Sequence, residues 1–146
     1  LPTGGIGTDV ETLDLNIKCQ ADYVNVFLYQ PYPKTKLGEM ALREGLMTGT
    51  FDDLSGSVTE DTVIKFSSEM EKRQIENLQK LLSVTAEFPF LKSLVLRLIK
   101  LPPNGLFWLI YKGWKGYAIS RRIYPVKMTV GEWFSALLQF MRIRTQ

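Results

Sequence analysis

Hydrophobic and polar positions change their period twice along this chain. Val10, Leu13 and Ile17 recur at helical intervals, and Thr8-Asp-Val-Glu11 has the spacing of a capping box. A helix is therefore expected from about Asp9 to Gln20. Tyr23-Val-Asn-Val-Phe-Leu-Tyr29 abandons that period, because nearly every position is apolar and either β-branched or aromatic. Such a run predicts a strand covered on both faces, as in a parallel sheet. Asn25 within it needs a hydrogen-bond partner wherever it is buried. Pro31 and Pro33 end the run, since proline has no amide to give a ladder. Leu37, Met40 and Ala41 then mark a short helix that Gly45 terminates. Loop, helix, strand, loop and helix in this order are the rhythm of an α/β layer or barrel.

The second half reads as helix. Thr48 to Ser57 is a Gly/Asp/Ser-rich connection, and Asp61–Phe66 has the pattern of a short strand. Ser68 and Glu71 form another capping box, followed by the stripe Ile75, Leu78, Leu82, Ala86. Pro89 interrupts, and Phe90–Leu101 predicts a second helix stopped by Pro102 and Pro103. Asn104 is placed to cap a third, running through Leu106, Leu109 and Ile110. Thr129 and Glu132 cap a fourth that carries Trp133, Leu137, Phe140 and Met141. The expected division is 1–50 and 51–146.

Composition narrows the chemistry. Of 146 residues 45% are apolar and 23% charged, which suits a globular chain. There is no histidine and one cysteine. A Cys/His zinc site, a self-contained iron–sulfur cluster, an intramolecular disulfide and a Ser–His or Cys–His dyad cannot be built from these residues. Cys19, at the end of a helical pattern, is expected to be a buried or half-buried thiol. Residues 1–60 carry a net charge of −5, whereas residues 91–146 hold ten basic groups against Glu132 alone. A basic end invites an anionic partner. No apolar run reaches the roughly eighteen residues needed to cross a bilayer. The opening residues lack the pattern of a signal peptide and an initiator Met, so the chain reads as a piece of something longer.

Several constellations could carry function. Gly4-Gly-Ile-Gly7 before a helix could cradle phosphate, but a dinucleotide fingerprint needs glycine at Val10 and a P-loop needs an absent Lys-Ser/Thr pair. A flexible turn is the favoured reading. Gln30 and Tyr32 follow the predicted strand directly, and ligands of α/β folds bind beyond the carboxyl ends of strands. The Pro2–Gly7 loop could share that site, although two prolines also simply stiffen a turn. Asp9, Glu11 and Asp14 are explained by capping and solvation, and Asp52-Asp53 by solvation. Between Trp108 and Tyr124, aromatics alternate with Lys112, Lys115, Arg121 and Arg122. Core packing with a basic rim leads here, ahead of docking on an anionic membrane; nucleic acid comes last.

The first 46 residues resemble the end of a radical S-adenosylmethionine (radical SAM) barrel. In that superfamily a Gly-Leu-Pro-Gly-Glu-Thr type loop enters a helix, and the next strand ends in a Pro-Tyr-Pro-Gly-Thr turn before a short helix. The counterparts are Leu1-Pro-Thr-Gly-Gly5, the helix Asp9–Gln20, Pro31-Tyr-Pro-Lys-Thr35, Leu37-Gly-Glu-Met40 and Glu44-Gly-Leu46. Lys34 stands where the turn usually has glycine. Glu76-Asn-Leu-Gln-Lys-Leu81, Phe88-Pro89, Leu98-Ile-Lys-Leu-Pro102 and Lys115-Gly-Tyr117 are similar to the helical tail of the cobalamin-binding group, which includes the anaerobic magnesium-protoporphyrin monomethyl ester cyclases.

The resemblance implies an α/β fragment: the last strand–helix unit of a partial TIM-like barrel at 1–50, then a mainly α-helical carboxyl-terminal extension at 51–146. It implies a bacterial, cytoplasmic enzyme, associated with a membrane if the basic tail docks there. That enzyme would cleave S-adenosylmethionine reductively at a [4Fe–4S] cluster, with cobalamin, for methyl transfer or oxidative cyclisation of a small-molecule substrate. The three-cysteine motif and the cobalamin domain would lie upstream, in the same protein, so this chain alone would not be catalytic. Pro2, Thr3, Gly4, Gln30 and Tyr32 would lie near cofactor or substrate. The alternative is a non-catalytic basic helical module for interaction or peripheral membrane docking. An isolated strand unit would expose unpaired backbone, so the chain alone is expected to be aggregation-prone or partly folded.

Overall fold

The computed structural model describes residues 4–54, 62–123 and 129–142. Six α-helices account for most of them: α1 Gly5–Cys19, α2 Lys36–Arg43, α3 Glu69–Glu87, α4 Lys92–Leu98, α5 Gly105–Ala118 and α6 Val130–Arg142. Short 3-10 turns occupy Phe51–Asp53 and Pro89–Leu91, and a π-helical turn follows α5 at Ile119–Ile123. The chain divides into two compact units, Leu1–Lys115 and Gly116–Gln146.

The expected α/β architecture is overturned. Among the described residues no strand forms, and the only pairing between extended segments is one antiparallel bridge, Met47 with Ile64. The apolar run Tyr23–Tyr29 enters no ladder, and 62–66 contributes only that bridge. The physical reason is that β propensity measures fit to a half-buried pleated surface, and helices supply one here. The Val24 carbonyl accepts from Ser83 Oγ and that of Val26 from Gln79 Nε2 at 3.0 Å, both on α3. The Tyr29 carbonyl accepts from Thr62 Oγ1 at 2.6 Å. Side chains therefore do for this segment what neighbouring strands would do in a barrel. Asn25 is exposed and needs no buried partner.

The core of the first unit is helix against helix. Leu13 of α1 meets Leu78, Leu81 and Leu82 of α3, Val95 and Ile99 from α4 and its end, and Phe107 of α5. Burying each such side chain stabilises by roughly 1.5–3 kcal/mol. The stripes expected on α1 and α3 largely hold, with Val10, Ile17 and Ala86 packed against this core. On α5 the stripe is shifted, because Leu106 and Leu109 are exposed and the buried face is Phe107 and Tyr111, four residues apart.

Caps follow the sequence in most places. Ser68 Oγ accepts from the Glu71 amide at 3.1 Å, and Asn104 Oδ1 from the Phe107 amide at 3.1 Å. In α6 the Thr129 amide and hydroxyl both donate to Glu132, which holds that carboxyl below its ordinary value. The side chains of Leu137, Phe140 and Met141 lie outside the described residues. The box expected at Thr8 and Glu11 is not formed. Helix α1 begins earlier, at Gly5, and Thr8 sits inside it with its hydroxyl donating to the Gly4 carbonyl at 2.7 Å. Cys19 is exposed rather than buried, because it lies off the Leu13–Ile17 face.

The turn into α2 is the most tightly built loop. Pro31 is fully buried. Thr35 caps α2, accepting from the Gly38 amide at 3.1 Å while donating to the Tyr32 carbonyl at 2.7 Å. A side chain at Gly38 would stand 2.1 Å from that carbonyl, so only glycine fits. Lys34 takes the left-handed conformation, φ +63°. A residue with a Cβ loses about 1–2 kcal/mol there, partly offset by the extra unfolded-state freedom of glycine. Lys34→Gly is therefore expected to stabilise the fold by about 0.5–1 kcal/mol. An unchanged urea midpoint would contradict the strain.

Candidate functional site

A cavity of about 450 Å³ lies within the first unit, between the start of α1, the 26–29 segment, residues 62–67 and α3. That volume falls within the range of small-ligand pockets, roughly 300–1,000 Å³. Its wall is polar and apolar in nearly equal measure, with Phe27, Leu28, Ile64, Phe66, Ile75 and Leu82 among the apolar contributors. Helical periodicity on α1 and α3 puts Asp9, Thr12, Glu71 and Gln79 into the same wall.

The polar groups are unequally satisfied. Glu71 Oε2 accepts from the Ser67 amide at 3.0 Å. Its Oε1 lies only 2.7 Å from where a side chain at Gly5 would begin, and Gly5 has φ +59°. Gly5 thus lets a carboxylate sit at the amino end of α1, where the helix dipole favours it. Asp9, half-buried one turn on, has no hydrogen bond or ion pair among the described residues. Burial pushes its carboxyl above the ordinary 3.8, against the lowering effect of the chain's terminal ammonium and with a smaller push from Glu71. Gln79 is 3% exposed and donates to Val26, leaving Oε1 buried with no partner. The Tyr29 hydroxyl is likewise buried and unpartnered, and burial raises it too.

A raised carboxyl binds its proton more readily in the folded state than in the unfolded one. Its contribution is therefore lost as pH climbs from the unfolded value through the folded one. Asp9→Asn should melt higher than the parent at pH 7, and the gain should vanish below about pH 4. A pH-independent difference between the two melting curves would refute this account of Asp9.

Of the residues singled out from the sequence, Gly4 lines this cavity. Gln30 is buried and Tyr32 is 53% exposed, and neither lines it. Pro2 and Thr3 lie outside the described residues. Asp14 pairs with Lys92, and Asp53 accepts from Thr50, so local structure accounts for both. The basic aromatic stretch also packs on itself. Lys112 lies over the rings of Trp108 and Tyr111 at 5.5 and 5.8 Å, and Lys115 over Tyr111 and Phe27 at 5.6 and 6.0 Å. Sequence reasoning missed Gln79, Tyr29 and the pairing of Asp9 with Glu71. The available signal was Gln79 and Ser83, polar residues directly beside the stripe positions Leu78 and Leu82.

The residues do not fit an iron–sulfur cluster. The chain has a single cysteine, and no group of three His, Cys, Asp or Glu side chains suited to a metal occurs among the described residues. Among the described residues no helix is long and apolar enough to cross a membrane. No protein-family description, curated protein or solved structure matches the chain.

Proposed function

We propose that this chain is the carboxyl-terminal part of a longer radical SAM enzyme of the cobalamin-binding type. The observation that carries the reading is the turn Pro31-Tyr-Pro-Lys-Thr35. In the family the fourth residue of this turn is usually glycine, and Lys34, at that position, has the positive φ that glycine adopts most readily. The Thr35 cap and the close approach at Gly38 support the same likeness, since they give Pro-Tyr-Pro-x-Thr a conformational reason. The reading rests on this turn and on the helices that follow, and requires no sheet within the chain. Cluster ligands come from elsewhere in the longer protein. This part contributes a rigid turn and a helical body.

The test begins with the coding sequence upstream. A Cys-x3-Cys-x2-Cys motif is expected there, and the full protein, reconstituted anaerobically with iron and sulfide, should release 5′-deoxyadenosine from S-adenosylmethionine. Residues 1–146 alone should release none. A full protein that lacks the motif, or that forms no 5′-deoxyadenosine, would sink the proposal.

A second reading, peripheral membrane docking, draws on the second unit. Tyr117, Ile119, Ile123, Trp133, Phe134 and Leu138 are all exposed there, together with Arg121 and Arg122. Exposed aromatic and aliphatic groups beside arginines suit the headgroup layer of an anionic bilayer. Co-sedimentation with phosphatidylserine vesicles should fall at least several-fold on replacing Arg121 and Arg122 by Glu. An unchanged bound fraction would remove this reading.

A further inference from the structure

We propose that the outward face of the α4–α5 hairpin is a docking surface for an anionic lipid bilayer. The inference goes beyond the second reading above, since it concerns the first unit and stands without Arg121 and Arg122. The two helices run antiparallel. Pro102 and Pro103 turn the chain between them, and at the far end Trp114 meets the Phe88 ring at 5.6 Å, which meets Phe90 at 6.1 Å. Val95, Ile99 and Phe107 turn into the core. That leaves Phe90, Leu94 and Leu101 on one outward stripe, at intervals of four and seven residues, and Leu106 with Leu109 on the other. Phe90 is 78% exposed, and Leu94, Leu106 and Leu109 are each more than half exposed.

Single exposed leucines are ordinary, but five large apolar side chains on one two-helix face mark an interaction surface. Its charge names the partner. Residues 88–115 hold Lys92, Arg97, Lys100, Lys112 and Lys115 and no acidic residue. Lys92 is taken by Asp14, and Lys112 and Lys115 lie over aromatic rings. Arg97 and Lys100 are exposed beside Leu94 and Leu101, and neither side chain has a hydrogen bond or ion pair among the described residues. A second copy of this face would set these cations against themselves, which is repulsive. An anionic bilayer satisfies both parts at once. Its acyl boundary takes Phe90 and the leucines, while its phosphates and carboxylates meet the long stems of Arg97 and Lys100 at headgroup level.

Co-sedimentation of the 146-residue chain with phosphatidylserine–phosphatidylcholine vesicles, and with pure phosphatidylcholine vesicles, provides the test. The chain should bind the first and hardly bind the second. Leu94→Glu with Leu109→Glu should weaken binding at least about ten-fold, and Arg97→Gln with Lys100→Gln at least several-fold. Leu42→Glu with Met70→Glu makes the same charge change at exposed apolar positions of α2 and α3, and should leave binding nearly unchanged. Should the first pair lose its helical circular dichroism, Leu94→Ser with Leu109→Ser takes its place. Full binding by either folded hairpin variant would overturn this proposal and leave the reading that rests on Arg121 and Arg122 to its own test. An equal loss in the α2–α3 control, equal binding to neutral vesicles, or no binding by the parent would overturn it too. So would a dimer that the hairpin substitutions dissolve, since a second copy would then cover the face, or a longer protein that no longer binds vesicles.

Discussion

Replacing Asn77 by Ala should cost about 3 kcal/mol, the largest loss expected from a single polar side chain in this molecule. Asn77 is fully buried, and its Nδ2 donates to the Ile99 and Leu101 carbonyls at 3.1 and 2.8 Å. The chain there explains why a side chain is needed. In a continuing helix the Ile99 carbonyl would accept from the amide four residues on, which is Pro103 and has none. Pro102 likewise removes the amide that Leu98 would have used, and the Leu101 amide closes that carbonyl instead, at 3.0 Å. Asn77 replaces the donor that the prolines take away and so ties the end of α4 to the middle of α3. The buried Ile99 carbonyl and the part-buried Leu101 carbonyl left without donors cost roughly 1–3 kcal/mol each, less what water recovers at Leu101 and what removal of the unpartnered Asn77 Oδ1 returns. For a chain of this size that corresponds to a melting temperature lower by about 6–12 °C. Met70→Ala, on the exposed first turn of α3, should stay within about 0.5 kcal/mol of the parent. Urea unfolding followed by circular dichroism measures both, and an Asn77→Ala variant as stable as Met70→Ala would refute the latch.

The helices were legible because their signals are local. Ser68, Asn104 and Thr129 each cap the helix that the sequence assigns to it, and Gly45 takes φ +66° just past α2. What failed was non-local. Tyr23–Tyr29 has a strand's composition, but a strand exists only where a neighbour takes its backbone groups, and no local pattern says whether that neighbour is another strand or the polar edge of a helix. Leu106 and Leu109 satisfy helical spacing as well as Phe107 and Tyr111 do, and only the position of α3 and α4 decides which pair turns inward. The cavity was illegible for the same reason. Asp9 and Glu71 are 62 residues apart, and a capping role accounts for either one taken alone.

The double variant Gln79→Leu with Ser83→Ala should release the 23–29 segment while leaving the helices formed. Gln79 and Ser83 are one helical turn apart on α3, a rise of about 6 Å. The carbonyls they bind, Val26 and Val24, are two residues apart in an extended chain, about 6.6 Å. The two spacings agree, so an antiparallel extended segment can be bonded side chain to backbone along the helix with little distortion. Each bond contributes about 1 kcal/mol, and because both hold one segment their loss should exceed the sum of the singles. Leu28, buried, and the bond from Thr62 to Tyr29 hold the far end, and without the two bonds the near end keeps only the apolar packing of Val24 and Val26 against the core. The near end would then open locally without global unfolding. Chymotrypsin should cleave after Tyr23 and Phe27 at least ten-fold faster in the double variant, with circular dichroism nearly unchanged and the single variants intermediate. Equal cleavage in parent and double variant would mean that apolar contact alone holds the segment, and that the match between helix rise and strand repeat is incidental.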